Sequence, residues 1–126
     1  MHVYSELESR SDLACSVLKV GSDTLVVVSG GSTGTYWEHN PLKSTEIFSM
    51  HSQQWIFGHD LPIQIFRHSM VTVINKVYVI GGFQNSMIYE LDKEMTQWRE
   101  MKQQLSVSRY YMAALPVPDT MTSCSN

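Results

Sequence analysis

Tyr36, Trp37, Glu38 and His39 form the most chemically loaded stretch of the chain. A carboxylate beside an imidazole can ligate a metal, but two ligands on one loop fall short of the four that a structural zinc site uses. The flanking rings point instead to recognition, because aromatics on a loop supply anchor area that a mere connector does not require. The other histidines, His2, His51, His59 and His68, are scattered, with no pair at helical or hairpin ligand spacing. Gly30-Gly31-Ser32-Thr33-Gly34 lacks the lysine of a phosphate-cradling loop. Cys15 and Cys124 make neither a zinc spacing nor a disulfide framework, and read as a strand thiol and a tail thiol. No acid, base and nucleophile assemble. No catalytic residue, metal ligand or cofactor is therefore assigned, and a non-enzyme is expected.

Composition narrows the class. With 43% hydrophobic and 17% charged residues in 126 positions, the chain can bury one modest core. Net charge is −3 with no Lys/Arg cluster, which argues against a partner bound through a nucleic-acid backbone. Apolar runs such as Leu25-Val26-Val27-Val28 are strand-sized, so no membrane-spanning helix and no membrane partner are expected. The opening residues are polar and acidic rather than signal-like, and no Asn-x-Ser/Thr sequon occurs. Together these suggest a reducing, cytoplasmic setting.

The elements that must position such residues come in a repeat. Diglycines Gly30-Gly31 and Gly81-Gly82 each close a run of β-formers, and each is followed by a tryptophan, Trp55 and Trp98, 43 residues apart. Phe48 and Leu91, seven residues before each tryptophan, keep the same spacing, whereas Arg67 and Arg109 stand 42 apart. The diglycines are 51 apart, which places eight extra residues of the first unit within 32–44. Residues 13–20 and 25–29 read as one hairpin across a turn at 21–24. Residues 70–73 and 77–80 read as a second with a tighter turn at 74–76. A third strand, a turn and a short fourth strand follow in each unit. Good helix formers fill 93–101, yet alignment with 51–57 overrides helix there.

Gly-Gly after an apolar strand, an apolar or aromatic residue seven before a tryptophan, then leucine and arginine, resemble the Kelch repeat over residues 13–117. The resemblance implies an all-β fold, a partial Kelch-type β-propeller of two complete four-stranded antiparallel blades plus flanking strands. It divides the chain into an outer strand of a preceding blade within 1–12, repeats at 13–66 and 67–108, the start of a third repeat at 109–117 and an irregular tail at 118–126. A propeller needs about four to eight blades, so a piece of a longer protein is expected. Ala14, counted back from the hairpin turn, stands where Arg67 and Arg109 stand. Trp55 and Trp98 are assigned to packing between blades, and Arg67 and Arg109 to fixing the first strand by hydrogen bonds to carbonyls.

In Kelch relatives that bind peptides, residues just after the diglycine and just after the arginine point into one mouth. By position these are Ser32, Phe83 and Asn85, then His68, Ser69, Tyr110 and Tyr111, with Cys15 and Ser16 as the first unit's equivalents. The implied function is a non-catalytic protein-interaction module with a protein or peptide partner. A ubiquitin-ligase substrate adaptor or an actin-associated Kelch protein fits that description. A propeller-type enzyme or metal protein, and a truncated fragment without independent function, are the alternatives. Blade faces left without neighbours would favour self-association.

Overall fold

The computed structural model of the chain describes residues 10–33, 40–92, 94 and 97–104, the last two by backbone alone. Regular structure among these residues is entirely β. Strands β1 (Ala14–Val20), β2 (Asp23–Ser29), β5 (Thr45–Ser49) and β6 (Gln54–Phe57) form one antiparallel sheet in the order β1-β2-β5-β6. Strands β7 (Ser69–Val73), β8 (Lys76–Ile80), β9 (Met87–Leu91) and β10 (Trp98–Gln104) form a second antiparallel sheet in chain order. A two-stranded ribbon, β3 (Ser32–Thr33) and β4 (Asn40–Pro41), stands on the connection from β2 to β5, where the extra residues were expected. The sheets do not close into a ring. Trp98–Gln104 is a strand, not part of a helix.

Each sheet arises from short β-branched runs whose alternation decides which side is buried. In β1 the burial alternates along Ala14, Ser16 and Leu18, and these face the second sheet. Met70, Val77, Val79, Tyr89, Leu91 and Trp98 answer them, and Leu61 and Ile65 of the linker fill the gap. The inner strands are adjacent, with Ser16 Oγ and Thr72 Oγ1 2.5 Å apart.

Register shows the repeat directly. Val26 pairs with Phe48 and Phe48 with Trp55; Val77 pairs with Leu91 and Leu91 with Trp98. Trp98 is buried against the first sheet, its indole N–H donating to Thr45 Oγ1 at 3.0 Å and His59 O at 3.1 Å. Trp55 holds the matching position but is only half-buried, tilted against Phe48 on the face turned away from the second sheet. Val26, Val28 and Phe48 on that face are buried.

Several expectations need correction. Both hairpin turns have two residues, Gly21-Ser22 and Ile74-Asn75, and the first hairpin differs by having strands of seven residues instead of five. Counting from the turn therefore slips the register. Ala14 pairs with Ser29 as Ser69 pairs with Ile80, each just before a diglycine, which makes Asp12 and not Ala14 the counterpart of Arg67. Cys15 is disulfide-bonded rather than a free thiol. The proposed strand within 1–12 falls largely outside the described residues. So do Arg109 and the whole of 109–126.

Candidate functional site

The diglycine loops and the linker between the sheets are gathered at one end of the strands. Gly30 and Gly82 carry φ of +63° and +108°, and a Cβ on either would collide with the linker. On Gly30 it would lie 2.5 Å from Ile65 O and 2.6 Å from His68 Cε1; on Gly82, 2.8 Å from Ile65 Cγ1. The two diglycines thus close on one segment, Ile65 to His68. Main-chain bonds lock it: Gly31 N–H donates to Ile65 O, Ile65 N–H to Leu42 O and Phe83 N–H to Phe66 O. Arg67 N–H donates to Asp12 O.

Beneath this end lies a buried polar cluster that the sequence reading missed. Arg10 donates to Gly30 O at 2.8 Å and to Ser44 O and Oγ at 3.0 Å, and it pairs with the Glu46 carboxylate, both side chains being fully buried. Carbonyl anchoring was expected of Arg67, but Arg10 performs it for the first unit. Arg67 instead pairs with Asp12, Nε to Oδ2 3.6 Å, and lies 5.3 Å over the Phe66 ring. Both residues hold positive φ, +53° for Asp12 and +59° for Arg67. Arg10 carried no periodic signal, since the matching linker position, two before Arg67, is Ile65.

His68 is buried against Gly30, Gly82 and Ser29, its Nε2 3.3 Å from Ser29 Oγ and its Nδ1 without a hydrogen-bond partner. Burial holds its pKa down to about 4; a bond to Ser29 opposes this and the nearby Arg10 charge adds to it.

Of the residues assigned to binding, Ser32, His68, Ser69 and Asn85 are buried. Ser32 is held in the ladder between Ser11 and Pro41. Asn85 shapes the second diglycine loop, its amide donating to Gly81 O at 2.6 Å and Met87 O at 3.1 Å while its carbonyl accepts from Met87 N–H. Such residues can position a surface but offer it little area. Phe83 is 40% exposed, and its ring lies 5.2 Å from Phe66. Of the first unit's two equivalents, Ser16 is buried at the contact with Thr72 and Cys15 is half-buried.

Phe83, Phe66, Arg67 and Asp12 therefore form the partly exposed face of this end: an aromatic pair flanked by a guanidinium and a carboxylate. Tyr36, Trp37, Glu38 and His39 lie outside the described residues, as do Tyr110 and Tyr111. Among the described residues no group of three metal-ligating side chains converges, and no helix is long and apolar enough to cross a membrane. No protein-family model matches the chain.

Proposed function

We propose that the chain is part of a Kelch-type propeller that acts as a non-catalytic protein-interaction module, binding a protein or peptide at the diglycine-loop end. One observation carries this reading. Two four-stranded units repeat in register about their diglycines, so that loops of equivalent position from both units meet on one linker. A rigid sheet scaffold presenting a cluster of loops is the usual setting for recognition. Phe83, Phe66 and Arg67 supply the residue types that anchor interfaces. Substrate capture for a ubiquitin ligase and binding to actin are the two forms this function would take.

The test uses the full-length gene product. Partners captured by the wild type are compared with those captured after replacement of residues 36–39 by Gly-Ser-Gly-Ser, which spares β4, and after Phe83→Ala. Both variants should lose recovery, and Phe83→Ala should leave melting unchanged, its ring being 40% exposed. Undiminished recovery with both would sink the assignment of this end. We place the protein in the cytoplasm. The disulfide at Cys15 is the observation that weighs against a reducing compartment, and alkylation of thiols at cell lysis decides between them.

A further inference from the structure

Both faces of the first sheet are buried, but described residues account for the cover of only one. The inner face, with Ala14, Leu18 and Val27, meets the second sheet. On the outer face Val17, Val26, Phe48 and Trp55 form one row across the strands, and Cys15, Val28 and Glu46 form the next. Strand neighbours flank a side chain and leave its tip open, because side chains stand out from the pleat. Val26 is nevertheless 2% exposed, and the Glu46 carboxylate and the Arg10 guanidinium paired with it are fully buried. A sheet face reaches such burial under a second layer. All described members of the outer cluster belong to the first sheet or, as Leu13, adjoin it.

Cys15 identifies the layer. It is disulfide-bonded and stands on this face, paired in the ladder with Val28. The chain has two cysteines, so within one copy the second sulfur is that of Cys124. The 20 residues from Gln104, the end of β10, to Cys124 reach at most about 66 Å when extended, well beyond the spacing of about 10 Å between stacked sheets. The tail also has the composition of a cover. Tyr110 to Val117 carries no charge and is mostly apolar, and Asp119 is the one charged residue between Tyr110 and Cys124. Residues 1–9 instead carry Glu6 and Glu8, which a layer over Val26 would have to desolvate.

We propose that a Cys15–Cys124 disulfide fastens residues 110–124 over the outer face of the first sheet. The chain's own tail then covers Trp55 as the first sheet covers Trp98. Closing the bond takes two electrons and two protons from the thiols, and glutathione disulfide accepts them as it becomes two glutathione thiols. Reduction leaves the tail held by its apolar contacts alone.

In the experiment, the full chain is equilibrated with reduced and oxidised glutathione, its thiols are blocked with iodoacetamide, and trypsin then cuts after Arg10, Lys19 and Arg109. Peptides 11–19 and 110–126 should appear joined within a monomer, and part on reduction with dithiothreitol. In the oxidised protein the Val26 methyls should give Overhauser contacts to Leu115, Val117 or Met121. Cys124→Ser should lower the melting temperature of the oxidised protein by at least about 5 °C, because the bond closes a long loop, and dithiothreitol should abolish that difference. Unlinked peptides, a disulfide-bonded dimer, or equal melting of Cys124→Ser and the oxidised wild type overturns the fastening. Overhauser contacts from Val26 to residues 1–9 in place of the tail, or to nothing beyond the first sheet, overturn the cover.

Discussion

The two sheets share one register but differ wherever they meet something other than each other. The Trp98 row of the second sheet is buried on the first, with the indole hydrogen-bonded to Thr45 and His59. The Trp55 row, at the matching position, turns the other way and leaves its tryptophan half-buried. The tryptophan face of the second sheet packs on the back of the first, and the energetic weight of each tryptophan follows from how far its ring is covered.

Truncation is the sharpest way to break that comparison. Trp98→Ala should cost about 3–5 kcal/mol, the range for a large buried ring. Trp55→Ala should cost clearly less, because part of its surface is already in solvent. Denaturant midpoints of the two variants check this, and equal losses would mean the two faces are equally covered. Trp98→Phe, which keeps a ring and loses the donor, should cost about 1 kcal/mol.

The units also differ at the entry to their first strands. The first relies on Arg10 and Glu46, buried together; the second places Ile65 at the position matching Arg10. Arg10→Met leaves the Glu46 carboxylate buried without its cation and should destabilise by about 3–5 kcal/mol. Adding Glu46→Leu should recover a large part of that, since a well-packed apolar pair often replaces a buried ion pair at little cost. A double variant no more stable than Arg10→Met would show that Arg10 matters chiefly through Gly30 and Ser44.

His68 makes the junction sensitive to acid. Its folded pKa of about 4 lies below the ordinary value of 6.5, so the folded state favours the neutral ring. The unfolded chain therefore takes up the proton first as pH falls. Stability from this group is fully present above 6.5 and is lost as pH falls toward 4, in all about 3 kcal/mol. Unfolding free energies measured between pH 7 and 5 should slope downward in the wild type, and that slope should flatten in His68→Gln. An unchanged slope would assign the acid sensitivity to other groups.

Much of the scaffold was legible in the sequence, because it depends on markers that repeat. The diglycines, the spacing of Phe48 and Leu91 to their tryptophans, and β-branched runs between turn residues gave four strands per unit. The excess length of the first unit gave the place of the β3–β4 ribbon. Less legible was whatever occurs once. Arg10 and Glu46 meet across 36 residues with no periodic echo. The slip that matched Ala14 to Arg67 came from counting back from a hairpin whose strands are two residues longer. At the diglycine end, position after a marker did not give exposure. Ser32, His68 and Asn85 are consumed in holding the loops, and Phe83 is left at the surface.

The smallest expected effect concerns Asp12 and Arg67, the counterparts that meet between the units. Their side chains are each 24% exposed and 3.6 Å apart, a geometry in which solvent screens the attraction and ordering two side chains offsets it. A double-mutant cycle with Asp12→Ala and Arg67→Ala should give a coupling below about 1 kcal/mol, smaller still at high salt. The backbone contributes with the opposite sign. Arg67 sits at φ +59°, where a non-glycine residue is strained by roughly 1–2 kcal/mol, so Arg67→Gly should be near neutral or stabilising despite losing the pair. If that holds, the arginine is kept at a cost to the fold. Its loss should then appear in partner capture at the diglycine end and not in melting. A variant that melts lower and binds normally would return Arg67 to a purely structural role.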